Sequence, residues 1–587
     1  MHKFSRIKWA QRLLALASLI IGVYVFAATL AMVIQCWSPV PVSDQWDEIV
    51  SGRQITWSWL FSQHNEHRIL FPRLLFVIDR YWFAETHILD YGFNVLLQSA
   101  MAFLMFRLAV RSGIENRWGV VWIGGFCLAL LFWSIQNENF TSGFQVPNFG
   151  VLLAAASAFT VVAAGAHERR VLILAVILEV IAVYTLASGI VVPFLNVVIA
   201  IWIGRSRRMI AILTLVALTL LSAYLVGYHA PSGLTNPLES FSHPGSLFRY
   251  SLIELGMPLD HTVGHFFLAQ RTIISELAGF LGVLLFSMFV WLAFRRRREP
   301  APHRLALLAV ATFVIAMMLL TSAGRLGHGL NSALTSRYAT PVLTFWLSLA
   351  ALGMAHFGVT VKRQALVMLA CLPLQMLILA SERQFAVFAV RFADQRTLSI
   401  PFLLADVADE EMLKGAMYPS TDRLLMISKG LRAAHTSIFR DPWVDWMGTP
   451  LAEHLTVVGR SYCHGSFERV ERVVDASPPG WRASGSASLA DETKPARRIL
   501  FTDTEGNIVG YGVGGFDLNQ LVDANHLFFN EFPPGQGKQQ WVGAFSSSAP
   551  ETVVAYALAG DAPTACSLGT VRSSPSPSPA STMLNTG

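Results

Sequence analysis

A chain of 587 residues that is 53% hydrophobic and only 14% charged, with a mean hydropathy of +0.48, is too apolar for a string of soluble domains and has the composition of a membrane protein. Its net charge of +6 and pI near 9.1 do not indicate nucleic acid as a partner, because the basic residues sit in short clusters between apolar blocks, where they set membrane orientation.

A helix needs roughly 20 apolar residues to cross a bilayer, and hydropathy marks about eleven such spans. In chain order they are Leu13 to Gln35, Leu89 to Val110, Gly119 to Ser134, Phe149 to Ala166, Val171 to Leu186, Ile190 to Ile203, Met209 to Gly227, Ile273 to Phe294, Leu305 to Thr321, Pro341 to His356 and Ala365 to Ala380. The basic clusters HKFSRIKWAQR, FRLAVRSGIENR, HERR, GRSRR, RRRREPAPHR and VKRQ then all fall on one face, which the positive-inside rule makes cytoplasmic. The expectation is a multi-pass protein of a bacterial inner membrane with a cytoplasmic N-terminus. The first apolar run is long and lacks a small-residue cleavage pattern, so it reads as a span and not as a cleaved signal peptide.

Residues 1–381 thus form a transmembrane domain, and an odd span count puts the rest outside the cytosol, which is the periplasm if the cell is Gram-negative. Residues 382–440 read as a linker of short amphipathic helices at the outer membrane face. Over 441–571, period-two runs such as ERVERVV, RRILFTDTEGNIVGYGV and TVVAYAL, punctuated by turn residues, predict an extracytoplasmic β-sandwich. The Ser/Pro-rich 572–587 reads as a disordered tail. Cys463 and Cys566 lie near the two ends of the β-region, and in an oxidising compartment they can form a disulfide. The aromatic residues Trp481, Tyr511 and Trp541 could stack on sugar and read first as sandwich core.

Polar residues without a topological purpose collect on the outer face, in PVSDQWDEIV, QHNEHRILFPR, QNENFTSGFQVPN and SAGRLGHGLNSALTSRYAT. Charge inside a bilayer is costly, so such groups face a wet cavity or each other. In the first stretch Asp44, Asp47 and Glu48 are candidate general bases, since an ionised carboxylate near a hydroxyl can take its proton. The bland alternative is a solvated acidic turn. In the second, His64, His67 and Arg68 share a face if the stretch is helical, with Glu66 directed elsewhere. HNEH lacks the spacing of a HExxH zinc site, and a divalent metal such as Mg or Mn is left open.

Arg325, Arg337 and Tyr338 form a second basic set suited to phosphate oxygens; the plain reading is that Arg325 pairs with a loop acid and Arg337 reaches lipid headgroups. Glu138 and Gln145, among amides and aromatics, suit sugar hydroxyls and are equally common at membrane interfaces.

This arrangement resembles the GT-C superfamily of integral-membrane glycosyltransferases, especially the bacterial enzymes that use polyprenyl-phosphate sugars. PVSDQWDEIV stands at the position of that family's acidic motif in the first external loop, and HNEHRILFPR, NENFTSGFQ and SRY look like motifs of one of its bacterial branches. The resemblance implies an α-helical polytopic fold, with an acidic residue of the first loop deprotonating the acceptor and basic residues or a metal holding the donor phosphate. Asp44 is the favoured base and Asp47 the next. The partners would be a polyprenyl-phosphate-linked sugar, the lipid bilayer and a glycan, lipid or protein acceptor. Competing readings are a polysaccharide or lipid-linked-glycan transporter, a polymerase, and a non-catalytic assembly protein.

Overall fold

Uninterrupted runs of Leu, Ile, Val, Ala and Phe leave the backbone no partner but itself in an apolar medium, and they fold as long helices. The computed structural model describes residues 2–230, 240–263, 271–296, 301–473, 480–489, 495–516, 539–546, 552–558 and 563–572. Among the described residues nine helices are long and apolar enough to cross a membrane, as in a multi-pass membrane protein. The tail expected to be disordered lies outside the described residues, apart from Arg572.

Two of the expected spans fold as shorter helices, Glu168–Val183 and Val191–Trp202, of 16 and 12 residues, joined by a 3-10 turn at Ala187–Ile190. A helix that hydropathy does not mark, Pro244–Val263, carries Arg249, Glu254 and Asp260 and contains Pro258. The last span does not stop at Ala380. Its helix runs over 44 residues, Val361–Leu404, because nothing after Ala380 breaks it before Pro401. The expected linker therefore begins as a continuation of that helix.

The chain divides into two compact units: Met1–Trp37, Gln54–Ile78 and Ile88–Ala389, and Ser38–Arg53, Asp79–His87 and Val390–Gly587. In the first, Arg117–Phe140, Gly143–Ala164, Pro302–His328 and Ser336–Phe357 are the most enclosed helices. Around them Arg6–Cys36, Thr272–Arg295 and others turn Ile20, Leu277, Trp291 and Leu369 outward, more than half exposed, a surface suited to lipid and not to water. Gly125 lets two of these helices touch: a Cβ there would lie 2.4 Å from the Ser18 carbonyl carbon.

The second unit contains β1 (Thr456–Val458), β2 (Cys463–Arg472), β3 (Gly480–Leu489), β4 (Arg498–Thr502), β5 (Ile508–Phe516), β6 (Gln540–Ser546), β7 (Thr552–Leu558) and β8 (Thr564–Arg572). These strands do not make the two sheets of a sandwich. They form one eight-stranded sheet in the order β1-β8-β7-β4-β5-β6-β3-β2, antiparallel except for the β1–β8 pair. The sheet curls until β2 and β8 meet, and Cys463 and Cys566 join them as a disulfide with Cα atoms 6.3 Å apart. Small residues on the concave side permit the curl: a Cβ on Gly543 would lie 2.4 Å from the Phe501 ring. Tyr511 and Trp541 are fully buried and Trp481 stacks on Phe545 at 6.3 Å, so the aromatics are core.

The disulfide closes a sequence separation of 103 residues. Cys463→Ser is expected to destabilise the sheet by about 2–5 kcal/mol, to be checked by chemical unfolding followed through the fluorescence of the buried Trp541.

Candidate functional site

The HNEH stretch is not helical. His64 and His67 exchange both backbone hydrogen bonds, each 2.8 Å long, closing a tight turn in which Asn65 takes a φ of 49°. Asn tolerates that left-handed conformation, and the helix begins only at Leu70. The helical face expected of His64, His67 and Arg68 therefore does not form. His67 Nδ1 accepts the backbone N–H of Ala187 (3.3 Å), and its Nε2 lies 3.5 Å from Glu66 Oε1. Arg325 Nη2 donates to the same carboxylate oxygen at 3.2 Å. Among the described residues His64, Glu66 and His67 do not converge as a metal-ligand set.

Burial pushes the Glu66 carboxyl up, but the His67 imidazole, the Arg325 guanidinium and its own backbone N–H outweigh that and hold its pKa below the ordinary 4.5. A depressed folded-state pKa contributes stability that is fully present above the ordinary value and lost as the pH falls through the depressed one. Glu66→Gln should therefore melt below the wild type at neutral pH, and the two melting temperatures should converge on acidification. Parallel curves down to pH 3 would contradict this role.

Arg68 and Arg73 are structural clamps. Arg68 donates to the carbonyls of Tyr224 (2.9 Å), Phe61 (2.6 Å) and Val226 (2.5 Å), capping the C-terminus of Arg207–Leu225, where a cation is favoured. Arg73, 1% exposed, donates to the carbonyls of Trp59 and Ser62 and stacks on the Trp59 ring. These three bonds use three of the five guanidinium N–H groups, so Arg68 is fixed in place with one N–H left on each terminal nitrogen. Beside it an open cleft of about 750 Å³ is lined by Gln63, Asn65, Arg68 and His229, among others.

The other outer stretches gather at the same end of this unit. Arg337 Nε lies 3.4 Å from Glu138 Oε1, both partly exposed. The buried Asn139 amide donates to the Arg337 carbonyl (3.0 Å) and Thr340 Oγ1 (2.7 Å), and Ser336 Oγ donates to the Ile135 carbonyl. These bonds fix the Ser336–Tyr338 turn that carries Arg337 and the half-buried Tyr338. Gln145 is drawn off to Asn148, whose amide donates to its Oε1.

The opposite end holds the Lys/Arg-rich loops. There Arg205 donates to the Val162 and Gly165 carbonyls, Arg304 to the Ser112 carbonyl, and Gln11 to Gln364.

Three buried glutamates inside the helices escaped the sequence reading. Glu382 accepts from Ser134 N (2.9 Å), Ser134 Oγ (2.5 Å) and Thr29 Oγ1 (3.1 Å); Glu179 accepts from Asn196 (2.7 Å); Glu254 accepts from Ser322 Oγ (3.2 Å). The signal available was an acid within an apolar run, as in ILEVIAV and LIELGM, which is costly unless it has a use.

The acidic stretch belongs to the second unit, where Asp44–Ser51 forms a short helix. Trp46 and Ile49, one turn apart, are buried in a core shared with Phe402, Leu424, Tyr511 and Val542. Arg80 donates to the Ile49 and Gly52 carbonyls at the helix C-terminus, and Ser43 N bonds to the Met417 carbonyl at its start. The three carboxylates have different fates. Glu48 is buried. Asp47 accepts from Tyr418 Oη (2.8 Å) and Arg423 (2.5 Å), and burial together with this bond pushes the Tyr418 hydroxyl up to about 12. Asp44, half exposed in the first turn, makes no hydrogen bond or ion pair with any described side chain.

No family model matches the chain, and neither does any curated protein or solved structure.

Proposed function

We propose that the chain is a membrane glycosyltransferase of the GT-C type, moving a sugar from a polyprenyl-phosphate donor to an acceptor hydroxyl of an envelope glycan, lipid or protein. The reaction would take place on the extracytoplasmic face of a bacterial inner membrane, with the N-terminus cytoplasmic and the C-terminal unit outside. The observation that carries this reading is the segregation within the helical unit. One end holds the Lys/Arg-rich loops; the other holds an open cleft lined by Arg68 and, outside that lining, Arg325 and Arg337 on partly exposed ion pairs. By the positive-inside rule the second end faces out, where lipid-linked sugars are used as donors.

In the proposed step an acceptor oxygen attacks the anomeric carbon while the bond from that carbon to the phosphate oxygen breaks. The acceptor proton passes to a carboxylate, and the leaving polyprenyl phosphate carries the electron pair away. Asp44 is the base this reading assigns, because Asp47 and Glu48 are committed elsewhere. Arg325 and Arg337 stabilise the charge that develops on the phosphate, each worth about 3 kcal/mol of barrier by analogy with other such donors. Their existing carboxylate partners do not prevent this. Partly exposed pairs contribute only about 0–1 kcal/mol, so a dianionic phosphate can displace or share them.

The test is a donor panel. Purified full-length protein is given polyprenyl-phosphate sugars or nucleotide sugars, each with Mg²⁺, Mn²⁺ or a chelator. Transfer from lipid-linked donors alone is expected. Transfer from nucleotide sugars alone, or movement of lipid-linked sugar across vesicles with no new glycosidic bond, would overturn the proposal.

A further inference from the structure

A second site lies at the Lys/Arg-rich end of the helical unit, and the proposed reaction does not use it. Arg296 follows the C-terminus of Arg271–Arg295, Arg304 lies in the first turn of Pro302–Arg325, and His356 is near the end of Ala339–Phe357. All three line one cavity of about 280 Å³ whose other walls include Trp202, Phe289 and Leu305. Arg304 and Arg325 stand 21 residues apart on one helix, about 30 Å at 1.5 Å per residue, so this cavity is far from the Arg325 used in the proposed reaction.

Among the described residues no carboxylate lines this cavity, and none pairs with Arg296 or Arg304. Arg304 is held in place by one bond, from Nε to the Ser112 carbonyl at 2.8 Å, which leaves its terminal nitrogens for another acceptor. His356 is stacked on Phe289 at 5.8 Å, and its Nδ1 is buried without a hydrogen-bond partner. The partly buried Arg304 guanidinium lies against apolar walls with no counter-charge among the described residues, and a planar fork of donors matches phosphate oxygens.

We infer that this cavity is a binding site for a phosphate group, with Arg296, Arg304 and His356 as its donors and the phosphodiester of an anionic lipid or free phosphate as its source. The volume suits a headgroup phosphate and not a whole lipid. The apolar walls of Phe289 and Leu305 lie along helices that would carry an acyl chain onward, and basic pockets between spanning helices are known to recognise such headgroups.

The full-length protein in neutral detergent is titrated with phosphatidylglycerol, phosphatidylcholine or inorganic phosphate while its thermal unfolding is followed. Phosphatidylglycerol or inorganic phosphate should raise the melting temperature at concentrations where phosphatidylcholine does not; which of the two acts identifies the source. Arg296→Gln/Arg304→Gln should weaken the apparent affinity at least tenfold. Arg296→Glu, at an exposed position, gives a variant whose folding does not depend on Arg304 and should weaken it likewise. Equal stabilisation by phosphatidylcholine, or an anion response unchanged in these variants, would overturn the assignment.

Discussion

Asp44→Asn is expected to lower sugar transfer by about 10² to 10⁴-fold, the range for loss of a general base, while leaving the melting temperature unchanged. Both halves follow from its setting. Asp44 makes no hydrogen bond or ion pair with a described side chain, so the amide disturbs no packing. Its neighbours supply the contrast. Asp47→Asn loses the charge that holds Arg423 and Tyr418, and should lower stability with a smaller effect on rate. Initial rates and thermal unfolding of both variants check this. A wild-type rate in Asp44→Asn would remove Asp44 from the mechanism.

Arg482→Ala should cost about 3–5 kcal/mol of stability, the range for breaking one partner of a buried ion pair. Arg482, on β3, grips Asp409 through Nε at 2.9 Å and Nη2 at 2.7 Å, and also reaches Glu411 at 2.9 Å. The pair is buried, with side-chain exposures of 8% and 2%. Asp409 in turn caps the short helix Glu410–Leu413 by accepting from Met412 N, so losing the arginine leaves a buried carboxylate holding only one amide. Arg482→Met with Asp409→Asn should recover part of the loss, because it removes the unpaired charge. Equilibrium denaturation of the three proteins measures it. A single-variant loss under 1 kcal/mol would mean that the pair is far better hydrated than its burial indicates.

Apolar runs are the part of this fold that sequence makes legible, because a bilayer forces every backbone group into a helix. The Glu254-bearing helix was hidden by the polar residues that it buries, and the extension of Val361–Leu404 by the polar composition after Ala380. Trp46 and Ile49 carry no local sign that they pack against residues some 400 to 500 positions later, such as Leu424 and Val542. Period-two patterning identified strands correctly but says nothing about whether one sheet closes or two sheets stack; glycines such as Gly543, and the Cys463–Cys566 link, decide that. The basic residues of HNEHRILFPR stood out by type, yet type does not separate a ligand-binding arginine from one spent on carbonyls. Both Arg68 and Arg73 spend guanidinium N–H groups on carbonyls, and only the termination of Arg207–Leu225 and the carbonyls of Trp59 and Ser62 show it. Arg325 was paired with a loop acid, Glu66, as its plainer reading had it.

The most direct test of the central claim is to count both products of the proposed step. Purified full-length protein is incubated with a polyprenyl-phosphate sugar and a hydroxyl acceptor, and glycosylated acceptor and released polyprenyl phosphate are measured together. The account predicts that they appear in equal amounts with the wild type and that both fall together in Asp44→Asn. Release of polyprenyl phosphate without glycosylated acceptor, or equal yields from the wild type and Asp44→Asn, would contradict it.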